Sequence, residues 1–151
     1  MSDLRDLYQE VILDHSRHPR NFGRVEPASH TAKGNNPLCG DRVTIYLNVN
    51  GTQLLDARFE AKGCAICIAS ASMMTELVKG RSIEEARETF ARFHDSLVRR
   101  EPPTEAEVEA LDKLAALTGV REFPMRVKCA TLPWHTLQAA LAGDKNSVTT
   151  E

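Results

Sequence analysis

No long apolar run interrupts this sequence, and no excess of one charge marks it. Its hydrophobic stretches fall far short of the ~20 residues that a bilayer-spanning helix needs, which argues against a membrane protein. Nineteen Lys and Arg stand against 21 Asp and Glu, a net charge of −2. Nothing in that balance favours electrostatic binding to nucleic acid or to an anionic membrane. The opening MSDLRDLYQE is acidic and amphipathic, unlike the basic-then-apolar start of a secretory signal. Internal repeats and low-complexity tracts are missing as well. The expectation is a cytoplasmic protein. Thiols stay reduced there, so four cysteines point to metal or sulfur chemistry rather than to disulfides.

What is present suffices for one folded domain. The chain has 151 residues, 42% of them hydrophobic, enough to bury a core. A single domain is expected over residues 1–143, with GDKNSVTTE closing the chain as a flexible tail over 144–151. Leu4, Leu7, Tyr8, Val11 and Ile12 form a helical stripe over residues 3–15. Pro19 and Gly23 then break the pattern. Val43, Ile45, Leu47 and Val49 alternate as in a half-buried strand, and Asn50-Gly51 is a hairpin turn signal. Leu55, Ala57, Phe59 and Ala61 alternate after it. SHTAKGNNP, upstream, is read as a further short strand.

After Gly63 the period becomes helical. One helix is expected over 67–79, stopped by Gly80. Ser82 with Glu85 forms a capping box that opens a helix carrying Ile83, Ala86, Phe90, Phe93 and Leu97. Thr104 with Glu107 forms another, and Gly119 is expected to end its helix. The last helix is expected to begin near Cys129 and to stop by Gly143, with Pro133 in or just after its first turn. The fold class is α+β: a small antiparallel sheet of about three strands packed by helices, with a helical insertion between Gly80 and Phe123.

Each cysteine lies at a junction between elements. Cys39 sits in the turn NPLCGDR, Cys64 just after a strand, and Cys129 at the expected start of the last helix. A helix N-terminus favours thiolate over thiol, and thiolate is the form that binds metal and attacks sulfur. An antiparallel hairpin brings Cys39 and Cys64 to one end of the sheet. Cys129 joins them if the last helix points its N-terminus there. Asp41, two residues after Cys39, can face the same side. Zinc takes four ligands, sulfur and carboxylate both acceptable. The candidates are Cys39, Asp41, Cys64, Cys67 and Cys129, one more than needed. The bland reading of Cys67 is a small buried hydrophobe. A thioredoxin-like couple for Cys64 and Cys67 requires a βαβ setting, which the antiparallel hairpin does not provide. His15, His18, His94 and His135 read as surface or packing residues. Met73, Met74, Phe90 and Phe93 read as core.

The segments LYQEVILDHSRHPRNFG, GNNPLCGDRV, GCAICIASASMM and RVKCATLPWHTL together resemble the U-type iron–sulfur scaffold family, over nearly the whole chain. Within it they resemble the SUF-system branch. The insertion between Gly80 and Phe123 selects that branch. So does Lys128, which precedes Cys129 where the cluster scaffolds of the ISC branch have histidine. The resemblance implies a zinc-dependent sulfurtransferase that takes persulfide sulfur from a pyridoxal-phosphate cysteine desulfurase of the SufS type and hands it to downstream iron–sulfur scaffold proteins. It implies zinc on Cys39, Asp41, Cys64 and Cys129, with Cys39 the acceptor, freed when a desulfurase histidine takes its place on the metal. The alternative is a scaffold that assembles an iron–sulfur cluster, with iron or a cluster as the metal.

Two residues stay open. The family has a small polar residue where this chain has Cys67. The thiol therefore either fills the core, or acts as a resolving or relay thiol beside the metal, or displaces Asp41 to give an all-cysteine site. Arg126, three residues before Cys129, is either a donor to a metal-bound sulfur or to Asp41, or a partner in a surface salt bridge.

Overall fold

The computed structural model describes residues 2–143 and 148–149. Helix α1 (Ser2–Arg17) leads into strands β1 (His30–Asn36), β2 (Asp41–Asn50) and β3 (Gln53–Lys62). Helices α2 (Ala65–Val78), α3 (Ile83–Val98) and α4 (Glu105–Leu111) follow, then a 3-10 stretch (Asp112–Glu122), α5 (Pro124–Ala142) and a two-residue β4 (Val148–Thr149). The sheet order is β3-β2-β1-β4. The three long strands are antiparallel, and β4 runs parallel to β1. Of the expected tail, Val148 and Thr149 are this strand, and 144–147 and 150–151 lie outside the described residues. No described helix is long and apolar enough to cross a membrane.

Helices α2 and α5 cover one face of the sheet, α2 against β3 and α5 against β1 and β2. On β2 the buried face is Val43, Ile45 and Leu47, as alternation requires. On β3 the expected parity fails at one place. Leu54 is buried and Leu55 exposed, because the register skips from Asn48↔Asp56 to Val49↔Leu54. Leu55 is the extra residue of a β-bulge, and beyond it Ala57 and Phe59 return to the core.

Helix α2 is the centre of the molecule, with Cys67, Ala69–Thr75 and Val78 buried. A helix apolar on all sides belongs in the interior. Helix α1 docks on it through Tyr8, Val11 and Ile12, which pack on the core, and through His15, whose Nδ1 lies 2.7 Å from Ser72 Oγ. Leu7, expected in that stripe, is exposed, and side chains before it lie outside the described residues.

The insertion forms as expected, with both capping boxes made. Phe93 packs on Trp134 of α5, and Phe90 stacks on the same ring at 5.8 Å. The helix opened by Thr104 ends early, at Leu111 rather than Gly119. Asp112 has φ +53°, which breaks the α-helical ladder, and tighter 3-10 turns carry the chain on to Glu122.

A larger correction concerns the last helix. It starts at Pro124, five residues before Cys129, so Cys129 lies in its second turn and Pro133 in its interior. Proline at the first position masked the true start, since it costs nothing there. An interior proline has no N–H to give the carbonyl four residues back, here that of Cys129. Nearby carbonyls of the helix take hydroxyl donors instead: Ser70 to Ala130, Thr131 to Val127 and Thr136 to Leu132.

Candidate metal centre

The site forms where the β1–β2 turn, the β3–α2 junction and α5 meet. In the turn, Asn36 Oδ1 accepts from Leu38 N at 3.2 Å, and Asn36 O accepts from Cys39 N at 3.2 Å. Gly40 completes the reversal at φ +72°, a region glycine enters without steric cost. This leaves Leu38 exposed and Cys39 half-buried at the rim. Asp41, the first residue of β2, is completely buried.

Asp41 ties the turn to the next junction. Its Oδ1 accepts from the backbone N–H of Cys64 at 2.8 Å, and its Oδ2 lies 3.6 Å from Cys64 Sγ. Gly63 permits that approach. A Cβ there would run into the Asp41 carboxylate and lie 3.0 Å from its Cα. Cys64 is the N-cap of α2, and its sulfur accepts from Cys67 N at 3.5 Å. A cap residue whose side chain takes up an orphan amide is ordinary helix chemistry, performed here by sulfur.

Cys129 arrives from α5, fully buried. Its sulfur, a carboxylate oxygen of Asp41 and the sulfur of Cys39 all lie within 4.8 Å of one another. Burial, followed by hydrogen bonds to Asp41 and Cys39 and the proximity of Cys64, pushes the Cys129 thiol far above the usual thiol range. Cys129 lies in the second turn of α5, so the helix-terminus argument fails for it. Packing, not a helix dipole, brings Cys129 to the site.

The donor set fits a metal ion. Two thiols, Cys39 and Cys129, and the Asp41 carboxylate come together from separate elements. Cys64 adjoins them, 3.6 Å from Asp41 Oδ2, and Asp41 is buried with no salt bridge to it among the described residues. A buried carboxylate without a cation costs several kcal/mol, roughly 3–5 by analogy with broken buried pairs. A divalent ion held by these residues would supply the missing charge and favour the thiolate forms. Sulfur with one carboxylate oxygen is an acceptable set for tetrahedral zinc.

The remaining candidates sit apart from this group. Cys67 is fully buried in the hydrophobic core, its thiol pushed well up first by burial and then by Asp41, Cys64 and Cys39. The side chain of Arg126 is exposed on the first turn of α5 and makes no hydrogen bond to Asp41 or a cysteine among the described residues. Sequence reasoning overlooked Gly63 and Asn36. Asn36 pairs with Asp41 across the β1–β2 register, and its Nδ2 is buried without a partner. The glycine directly before Cys64 was the available signal for the first. An asparagine ending a strand ahead of Pro37 was the signal for the second.

Known proteins resemble this chain over most of its length. The family model for the NifU-like N terminal domain matches residues 7–130. The zinc-dependent sulfurtransferase SufU of Bacillus subtilis is 40% identical over 144 residues, 95% of each chain. An iron-sulfur cluster assembly scaffold protein IscU of Streptococcus pyogenes is 35% identical, over 97% of this chain and 90% of its own. A crystal structure described as a SUF-system cluster assembly scaffold from Fervidobacterium islandicum superposes with a TM-score of 0.77 at 36% identity, covering 87% of this chain and 94% of its own. The family model spans the three cysteine-bearing segments, the helical insertion and β1–β3, and the chain belongs to the NifU-like N terminal domain family.

Proposed function

We propose that this protein is a zinc-dependent sulfurtransferase that accepts persulfide sulfur from a pyridoxal-phosphate cysteine desulfurase of the SufS type and passes it to iron–sulfur cluster assembly. Cys39, Asp41, Cys64 and Cys129 hold the zinc in this reading, and Cys39 is the acceptor. The observation that carries it is the unequal exposure of the ligands. Cys39 stands half-exposed on a turn beside exposed Leu38, whereas Asp41 and Cys129 are sealed in. Cys64 is half-buried as well, but its sulfur caps α2 and faces Asp41, so the thiol on the exposed turn, Cys39, is taken as the one that meets a partner's sulfur.

Zinc, when bound, keeps thiols deprotonated and adds no redox chemistry of its own. The chain's residues do the rest. The thiolate of Cys39 attacks the outer sulfur of the desulfurase persulfide. A new S–S bond forms on Cys39, the old one breaks, and the desulfurase cysteine leaves as thiolate. Asp41 and Cys129 stay fixed by burial and hold the turn in place. The identity with the Bacillus subtilis sulfurtransferase supports the same reading.

The test is desulfurase turnover with and without the zinc-loaded protein. Stimulation that saturates with added protein is expected, and Cys39→Ser should abolish it even where zinc is retained. Normal transfer by that variant would sink the assignment. The scaffold reading is favoured by the relatives named IscU. If it holds instead, the protein will stimulate the desulfurase little, take up iron and sulfide anaerobically, and transfer the cluster to an apo-protein.

A further inference from the structure

Cys67 has no part in the proposed transfer, yet the fold holds it against Cys64 in a defined way. Cys64 caps α2 with an extended backbone (φ −73°, ψ 163°), and Cys67 is the third residue of that helix. The Cys67 amide donates to Cys64 Sγ at 3.5 Å, which holds the Cys64 sulfur over the first turn. Residues three apart share one side of a helix. Three residues rise about 4.5 Å along a helix, inside the Cα separation of roughly 4.4–6.8 Å that a disulfide accepts. The two thiols also differ in access, since Cys64 is half-buried and Cys67 fully buried. That is the division of labour in a Cys-x-x-Cys pair at a helix start, where an outer thiol is attacked and an inner one resolves.

We infer that Cys64 and Cys67 form a redox modification site: in the metal-free protein a hydroperoxide converts them to a reversible disulfide, which withdraws Cys64 from the metal. The peroxide O–O bond breaks as Cys64 sulfur is oxidised to a sulfenic acid, with water or an alcohol released. Cys67 sulfur then attacks Cys64 sulfur. The S–S bond forms, the S–O bond breaks, and the hydroxide leaves as water with the Cys67 proton. A dithiol reductant returns two electrons and two protons and restores both thiols. Closure joins two residues at one helix start, with a small adjustment of the extended cap residue Cys64. Cys129 also lies beside Cys64, so peptide mapping must show which pair closes.

The consequence for metal rests on the proposed ligand set, whereas the disulfide does not. The metal-free full chain is treated with hydrogen peroxide, its free thiols are alkylated, and its peptides are mapped by mass spectrometry. Zinc uptake is followed separately with a chromophoric chelator. The expected result is a Gly63–Lys79 peptide lighter by two hydrogens and closed to alkylation, with zinc uptake reduced at least tenfold and restored by dithiothreitol. Cys67→Ser, with Cys67→Ala in case a hydroxyl disturbs the core, should bind zinc normally before oxidation. After oxidation its loss of uptake should resist dithiothreitol, with Cys64 carried on to sulfinic acid. Linkage of Cys64 to Cys39 or Cys129, or no linkage at Cys67, overturns the inference. A Cys64–Cys67 link with undiminished zinc uptake overturns its consequence and removes Cys64 from the ligand set, while sulfur transfer by Cys39 keeps its own test.

Discussion

Two thiols reach one point by opposite routes. Cys64 comes from a junction, capping α2 where a strand gives way to a helix, with its sulfur already engaged by the helix's own amide. Cys129 comes from the second turn of a long helix and is placed by what α5 packs against. The first is a local device, legible in a few residues of sequence. The second exists only once β1, β2 and α2 have assembled beneath α5. The comparison teaches that this centre has a half fixed by backbone geometry and a half fixed by the core.

The widest break is expected from removing a proposed ligand on either side. Cys64→Ser and Cys129→Ser should each weaken zinc binding by about a thousandfold, roughly 4 kcal/mol, measured by competition with a chelator. They should part company in stability without metal. Serine is a good N-cap, so Cys64→Ser should leave the urea midpoint nearly unchanged. Cys129→Ser buries a hydroxyl and should cost about 1–3 kcal/mol.

A glycine pair sharpens the local half. Gly63→Ala drives a methyl group into Asp41 at a backbone angle of φ +155°, and should cost about 2–3 kcal/mol and most of the metal affinity. Gly119→Ala, in the insertion, meets nothing within 4 Å. It should stay within about 0.5 kcal/mol of the parent. Equal effects would mean that the approach of Asp41 to the β3–α2 junction is not what Gly63 serves.

The smallest expected effect separates core from rim by pH. His15 is held below the usual histidine value of 6.5, first by burial and then by Arg20; His135 is held below it by burial and then by His94. Both are therefore neutral in the fold where the unfolded chain would protonate them. Their contribution is complete above pH 6.5 and is lost as pH falls through their lower folded values. Urea midpoints of the metal-free protein should fall between pH 7 and 5, by about 1 kcal/mol or less. Replacing His15 with glutamine should flatten part of that slope, and an unchanged slope would show that His15 is not a source of it.

Legibility followed the same division. The hairpin, both capping boxes, the insertion and the meeting of Cys39 with Asp41 could be read from the sequence, because each depends on neighbours a few residues apart. The start of α5 could not, since Pro124 reads as a break and is in fact the helix's first residue. Nor could the bulge at Leu55, where an unbroken alternation gave no hint that the register slips. Asp112 hid the change from α to 3-10 geometry, because an aspartate in a polar run carries no mark of a positive φ. Cys67 was visible as an oddity, but its burial is a property of α2 lying at the centre of the molecule.

Pro133 has a mechanical consequence. It deprives the Cys129 carbonyl of its partner in the helical ladder, so the first turn and a half of α5 is joined to the remainder by one bond fewer. Stability within a fold is uneven, and segments with fewer backbone bonds open first. The missing bond falls between the turn that carries Cys129 and the rest of α5, and the burial of Cys129 and Ala130 makes up for it. A helix that looks continuous is, at the cysteine, held by packing where the ladder lacks a bond: the core around Cys129, not the backbone alone, keeps the sulfur in place.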